Sequence, residues 1–156
     1  MNFDFEIIPV FDTAKKAKIF TFRLKSEKFS EFKKFQLNPE VSSHKDFLPI
    51  FQRIYRIRDK YGCREDWFRD ESELYRIDAI KRIWYGKCDL RLYCIRWSNS
   101  LLFLGNGGIK IKGTIRLQQN PHLLDIVNLL EKIYKDLMDY LLYERITIEE
   151  FIKKYI

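Results

Sequence analysis

Residues 90–104 read LRLYCIRWSNSLLFL, and this stretch decides the fold. Its first eight residues, Leu90 to Trp97, have the aromatic and apolar alternation that predicts a β-strand. Ser98-Asn99-Ser100 predicts a turn. Leu101 to Leu104 is a continuous apolar run, which is typical of a strand buried on both faces. The stretch therefore predicts two neighbouring strands near the middle of a sheet.

The residues that follow are rich in glycine. Gly105-Asn106-Gly107-Gly108 lacks the GxxxxGK[ST] spacing of a phosphate-binding loop, and no helix opens directly after it. A tight turn or a β-bulge is the favoured interpretation. Ile109 to Leu117 is then predicted to resume extended structure, with Lys110, Lys112 and Arg116 on one side.

The N-terminal third predicts a hairpin followed by helices. Alternation of apolar and polar residues predicts strands over 2–10 and 18–24, joined by a loop at Asp12–Lys16. Ser26 is predicted to cap a helix that contains Phe29, Phe32 and Phe35 and that stops at Asn38-Pro39. A second helix is predicted from near Asp46, with Pro49 in its first turn, to Tyr61-Gly62.

Two further segments complete the prediction. A short strand at Trp67-Phe68 is expected to precede a helix that Asp70 and Glu73 cap and that carries Leu74, Ile77, Ile80 and Trp84. Asn120-Pro121 predicts a helix to about Tyr143 with a buried stripe, and Thr147–Glu150 a capping box that opens a short terminal helix. We therefore expect one α+β domain over residues 1–156, an antiparallel sheet with helices packed on it. The predicted stripe of the long helix is Leu123, Val127, Leu130, Ile133, Leu137 and Leu141.

Charge points to an anionic partner. The 156 residues contain 29 Lys and Arg against 22 Asp and Glu, a net charge of +7. Such an excess favours phosphate backbones, then anionic membrane surfaces or an acidic protein, although a soluble basic protein without such a partner fits equally well. No apolar run approaches the ~18 residues of a membrane helix and no signal peptide begins the chain, so a cytoplasmic protein is expected.

Cysteine and histidine spacing argues against metal chemistry. Cys63, Cys88 and Cys94 form no CxxC pair, so free buried thiols are expected. His44 and His122 lie in no catalytic motif and are interpreted as surface or capping residues. No metal and no cofactor are predicted.

The strand at 90–97 carries the candidate RNA site. Arg91, Tyr93 and Trp97 share one face, where they are placed to hold a phosphate and stack a base, whereas Arg96 lies on the other face. The alternative is that Tyr93 and Trp97 face the core and leave Arg91 at an edge. The predicted nucleic-acid contacts beyond the catalytic set are Trp97, Lys112, Arg116, Lys81 and Arg82.

Metal-independent RNA cleavage needs positive charge at the phosphate and groups that move protons. Arg91 and Lys110 are the candidates for charge, and Tyr93 or a lysine is the candidate proton carrier. Free Tyr and Lys have pKa values of about 10, so a cationic neighbourhood would be required to lower them. The hypothesis depends on Arg91 and Lys110 converging on a solvent-open patch of the sheet.

Residues 90–121 resemble the RelE/HigB-like toxins of bacterial toxin–antitoxin pairs. Leu90–Tyr93 is similar to the "LR" that begins a strand in that family, and the strand ends in a second arginine, Arg96. An apolar strand, the Lys110 and Lys112 pair and a helix led by Pro121 follow in the family's order. The resemblance covers about a fifth of the chain, and this chain is longer than typical members.

The resemblance implies a RelE-like core with N-terminal and C-terminal additions. It also implies a metal-independent mRNA endoribonuclease, ribosome-associated or free, with Arg91, Tyr93, Arg96 and Lys110 as the catalytic set, that a neighbouring antitoxin protein neutralises. Some relatives act on DNA gyrase instead. Two other functions fit the same residues: a non-catalytic module that binds RNA or DNA, and a protein-interaction domain with a basic face.

Overall fold

A six-stranded mixed sheet lies at the centre of residues 3–70 and 77–156, the part of the chain that this computed structural model describes. The order across the sheet is β1-β2-β6-β5-β4-β3, and only the β2–β6 pair in this sheet is parallel. The predicted α+β class is confirmed, with a mixed rather than wholly antiparallel sheet. The strands are β1 (Phe5–Pro9), β2 (Lys18–Leu24), β3 (Phe68–Arg69), β4 (Ile80–Ile83), β5 (Leu90–Ser98) and β6 (Leu101–Ile109).

Helices cover both faces of this sheet. Ser30, not the predicted Ser26, caps the first helix by accepting a hydrogen bond from the Lys33 backbone N–H at 3.1 Å. The predicted capping box of Thr147 and Glu150 is present. The described helices are α1 (Glu31–Leu37), α2 (Pro39–Ser42), α3 (Phe47–Arg56), α4 (Pro121–Glu144) and α5 (Ile148–Tyr155), with a π-helical turn at Ile57–Tyr61 and 3₁₀ turns at Glu65–Trp67 and Leu117–Gln119.

The sheet separates two hydrophobic cores. On one face, Phe22, Tyr93 and Phe103 pack with α4 and α5, and the whole predicted stripe of α4 is buried there. On the other face, Leu92 and Cys94 belong to a core that includes residues of α1 and α3. Leu101–Leu104 is apolar throughout because β6 is buried on both faces.

The glycine run of β6 is a bulge that brings α4 close to the sheet. The register passes from Leu92↔Gly107 to Cys94↔Leu104, so Gly105 and Asn106 together oppose the single residue Tyr93. The bulge that we predicted is confirmed, and no turn occurs there. A side chain at Gly105 would lie 3.0 Å from Leu130 of α4, which explains the small residue at this position.

Two predicted elements differ in the structure. Ile80–Ile83 forms strand β4, not the end of a helix, because it pairs with β5 and buries Ile80 and Ile83 in opposite cores. Leu74 and the Glu73 cap lie outside the described residues. The predicted strand over 109–117 ends at Ile109, and a loop follows it. None of the helices in the described part combines the length and the apolar character that crossing a membrane requires.

Candidate nucleic-acid interface

A wide cleft of about 780 Å³ opens where β4, β5 and β6 meet their connecting loops. Three segments form it: the turn before α3, the β4–β5 hairpin from Arg82 to Arg91, and the loop after β6. We call it the cationic cleft. Its lining residues are His44, Lys45, Asp46, Arg82, Trp84, Gly86, Lys87, Cys88, Asp89, Arg91, Lys110, Ile111, Lys112 and Gly113.

Positive charge dominates this lining. It contains six lysines and arginines against the two carboxylates Asp46 and Asp89. A concave surface of one sign concentrates the potential and attracts the opposite charge. The cleft is therefore suited to an anion with several charges. The six cations are Lys45, Arg82, Lys87, Arg91, Lys110 and Lys112.

Arg91 is the most buried cation of the cleft, with 8% of its surface exposed. Its Nη1 donates a hydrogen bond to the carbonyl oxygen of Cys88, three residues earlier in the chain. This bond fixes the planar guanidinium against the β4–β5 connection. A guanidinium that is held in place loses less entropy when it binds a phosphate than a free one does.

The loop that carries Lys110 and Lys112 is held by the start of α4. Asn120, 2% exposed, accepts a hydrogen bond from the Ile111 N–H at 2.7 Å and donates one to Thr114 Oγ1 at 3.0 Å. The backbone N–H of Lys110 also donates to the Asp89 carbonyl oxygen at 2.7 Å. These bonds position both lysines at the cleft before any ligand binds.

His44 joins the two acids of the cleft. The Asp46 backbone N–H donates to His44 Nδ1 at 3.0 Å, so Nδ1 is the acceptor and Nε2 donates to Asp89 Oδ1 at 2.7 Å. Burial acts to raise the pKa of Asp89, but the hydrogen bonds from His44 and from the Asp89 backbone, together with the nearby charge of Arg91, outweigh it and the pKa is lowered. Burial, reinforced by a hydrogen bond with Asp46, raises the pKa of the Cys88 thiol to about 11.

Among the described residues, His44, Asp46 and Asp89 form a group that resembles a metal site. One ligand atom each from His44, Asp46 and Asp89 lie within 4.8 Å of one another. Sequence spacing did not indicate this group, because His44 and Asp89 are 45 residues apart. Both imidazole nitrogens are already hydrogen-bonded, and the surrounding lysines oppose a further cation. The geometry describes a hydrogen-bonded network that shapes the cleft wall.

The fold brings four of the nine predicted site residues to the cleft. Arg91 and Lys110, the pair on which the hypothesis depended, both line it, together with Arg82 and Lys112. The cleft lies at the end of the sheet and not on its open face, because helices cover both faces.

Tyr93 and Trp97 do not reach the cleft. Tyr93 is fully buried in the core under α4, and Trp97 packs on Phe103 and Tyr134 with ring centroids 5.8 and 5.3 Å away. The alternative that both rings face the core is therefore the correct one. Tyr93 cannot act as a proton carrier for a solvent-borne substrate in this structure, and Trp97 is not a base-stacking residue of the cleft.

The remaining predicted residues also lie elsewhere. Arg96 donates to the Cys63 carbonyl oxygen at 2.8 Å and to Asn99 Oδ1, so it fastens a neighbouring loop. Lys81 forms ion pairs with Asp70 and Asp78 at 2.8 and 3.2 Å. Arg116 is exposed at the 3₁₀ turn before α4 and outside the cleft lining.

Sequence reasoning missed Lys45, Lys87, Trp84 and the His44 network. Their segments contact one another only after the sheet has formed, so no local sequence spacing predicts that these residues meet. The nearest indication was composition, since Lys87 adds a cation to the short segment Gly86–Asp89. Comparisons of the chain with protein-family models, with curated proteins and with solved structures find no match.

Proposed function

We propose that this chain binds single-stranded RNA and that the cationic cleft holds the phosphate backbone. The observation that carries the proposal is the convergence of six lysines and arginines, from three separate segments, on one open cleft. Neutralising several phosphates and releasing their counterions supplies most of the affinity of such a surface.

The shape of the cleft favours a single strand over a duplex. Proteins recognise double-stranded RNA across a wide minor groove and two flanking sets of phosphates. Arg91 is instead recessed, at 8% exposure, and Trp84 forms part of the same lining. A flexible single strand can enter a recess and place a base against an aromatic wall, whereas a duplex cannot.

Salt-dependent binding tests the proposal. Fluorescence anisotropy with a labelled 12-nucleotide RNA is measured for wild type and for Lys110→Ala/Lys112→Ala from 50 to 300 mM salt. Each lost phosphate contact is expected to reduce the slope of log affinity against log salt by about 0.7. The double variant should therefore bind several-fold more weakly and with a shallower slope.

A matched control removes the same charge from another basic cavity. Lys15 and Lys153 line a second depression, of about 600 Å³, between the start of β2 and α5. Lys15→Ala/Lys153→Ala should bind RNA nearly as wild type. An equal loss in both double variants would contradict the assignment to the cleft. Binding of an acidic polypeptide in place of RNA would support a protein-interaction domain instead.

A second candidate is the mRNA endoribonuclease that the RelE/HigB-like resemblance implies. It is favoured by one observation, the presence of both Arg91 and Lys110 in the cleft. Because Tyr93 is buried, the proton transfers would fall to a cleft lysine or to His44. Incubation with translating ribosomes, followed by mapping of RNA 5′ ends, tests it. New ends that disappear in Lys110→Ala would support cleavage. RNA that stays intact would support a non-catalytic binding protein instead.

A further inference from the structure

Two aromatic rings flank one arginine beside the cationic cleft, and a third ring packs on one of them. The guanidinium carbon of Arg53 lies 4.1 Å from the ring centroid of Trp67 and 5.8 Å from that of Tyr85. Tyr61 packs edge-on against Trp67, with centroids 4.9 Å apart. We call Arg53, Tyr61, Trp67 and Tyr85 the aromatic platform.

The aromatic platform is continuous with the cleft through the backbone. The N–H of Trp84, a cleft residue, donates to the carbonyl oxygen of Trp67 at 2.9 Å. Tyr85 immediately precedes Gly86, which also lines the cleft. Tyr85 is therefore flanked in the chain by two residues that line the cleft.

The outer rings of the platform are accessible and are not needed for the core. Tyr61 and Tyr85 are 39% and 38% exposed, and neither belongs to the two hydrophobic cores of the described residues. Exposed aromatic rings leave apolar area in water unless a partner covers it. Every nucleobase offers a flat surface that can cover a ring.

Arg53 packs on two rings of the platform, Trp67 and Tyr85. Its Nη1 is buried and has no hydrogen-bond acceptor among the described residues. A cation without such a partner is costly to bury, and the faces of Trp67 and Tyr85 compensate part of that cost. Burial, and then the nearby charge of Arg56, lower the pKa of Arg53. The guanidinium thus packs on both rings and keeps positive charge beside them.

From this juxtaposition we infer that the aromatic platform is a base-stacking subsite, in which unpaired nucleobases of a strand that leaves the cationic cleft stack on Tyr85 and Tyr61. The inference rests on the proposed function and specifies its ligand as RNA with exposed bases. The cleft supplies contacts to phosphate, which are independent of the bases. The platform supplies contacts to bases, which do not require a particular sequence.

Binding of RNA with and without bases separates the two contributions. Two labelled 12-mers are compared, one of uridine throughout and one whose four central nucleotides are abasic. Tyr85→Ala is expected to weaken binding of the uridine 12-mer about tenfold and to leave binding of the abasic 12-mer unchanged. Tyr85→Phe, which keeps the ring, should bind both RNAs as wild type does. Tyr61→Ala should also weaken binding of the uridine 12-mer, but by less than Tyr85→Ala.

Tyr143→Ala is the matched control, because this tyrosine is 84% exposed near the end of α4 and far from the cleft in sequence. It should bind both RNAs as wild type. Wild-type affinity of Tyr85→Ala for the uridine 12-mer would overturn the stacking subsite, while a loss in Lys110→Ala/Lys112→Ala would still support the cleft. Failure of wild type to bind either RNA would overturn both proposals.

Discussion

The two ends of β5 each carry an arginine, and the structure uses them differently. Arg91, near the start, is recessed in the cationic cleft among other cations that face solvent. Arg96, near the end, donates to the Cys63 carbonyl oxygen and to Asn99 Oδ1, within 3.9 Å of the carboxylate of Glu65. The first end is open and basic, and the second end is closed by a loop.

The comparison shows that the role of a cation on a strand depends on the residues around it. Arg96 satisfies acceptors of its own chain, so its charge is used in folding. Arg91 shares its surroundings with Lys110 and Lys112, in a lining where cations outnumber carboxylates. The number of cations that gather at one open surface is therefore a better guide to a binding surface than the presence of one arginine.

The largest expected effect is at Gly107, which faces the Arg91 end of β5. A Cβ at this position would lie 1.8 Å from the carbonyl oxygen of Arg91, so the β5–β6 pairing must move to accept it. Gly107→Ala is expected to lower the free energy of unfolding by at least about 3 kcal/mol. Urea unfolding followed by circular dichroism measures it.

Gly86→Ala is the control for that substitution. Gly86 has a positive φ of 55° but no atom within 4 Å of an added Cβ, so only the left-handed backbone is penalised. We expect a loss of about 1 kcal/mol. Equal losses in the two variants would show that the close approach of Gly107 to Arg91 does not govern stability at this end.

A medium effect is expected at the closed end. Arg96→Ala removes a charged donor from the carbonyl oxygen of Cys63, a fully buried residue, and should lower the free energy of unfolding by about 2 kcal/mol. RNA affinity of the folded variant should stay at the wild-type value. Lys112→Ala, at the open end, should do the reverse, weakening RNA binding without loss of stability. A large loss of RNA affinity in Arg96→Ala would reverse the assignment of the two ends.

The smallest effect is expected at Tyr93, between the two ends. Because its side chain is buried under α4, Tyr93→Phe should leave RNA affinity, and any cleavage of RNA, within about twofold of wild type. Anisotropy and end mapping on the same protein preparation measure both. Loss of cleavage with retained binding would show that Tyr93 reaches substrate and that α4 must move to allow it.

The sequence by itself determined the elements with strong local patterns. Alternation over 18–24 and 90–97, the start of α4 at Pro121, the capping box before α5 and the buried stripe of α4 all appear in the structure, because each depends on neighbours along the chain. The Asn120 side chain does not cap α4 and instead accepts a hydrogen bond from the Ile111 N–H. Ile80–Ile83 failed as a helix because its pairing with β5 overrode a weak local period.

The tertiary structure decided which charges meet. Sequence identified Arg82, Arg91, Lys110 and Lys112 as candidates, yet the same reasoning also proposed Tyr93, which α4 buries. Alternation tells which side chains share a face of a strand, but not which face a helix will cover or which loops will close around its end. Those choices depend on long-range packing of the two cores, and the cationic cleft exists only because that packing leaves this end of the sheet open.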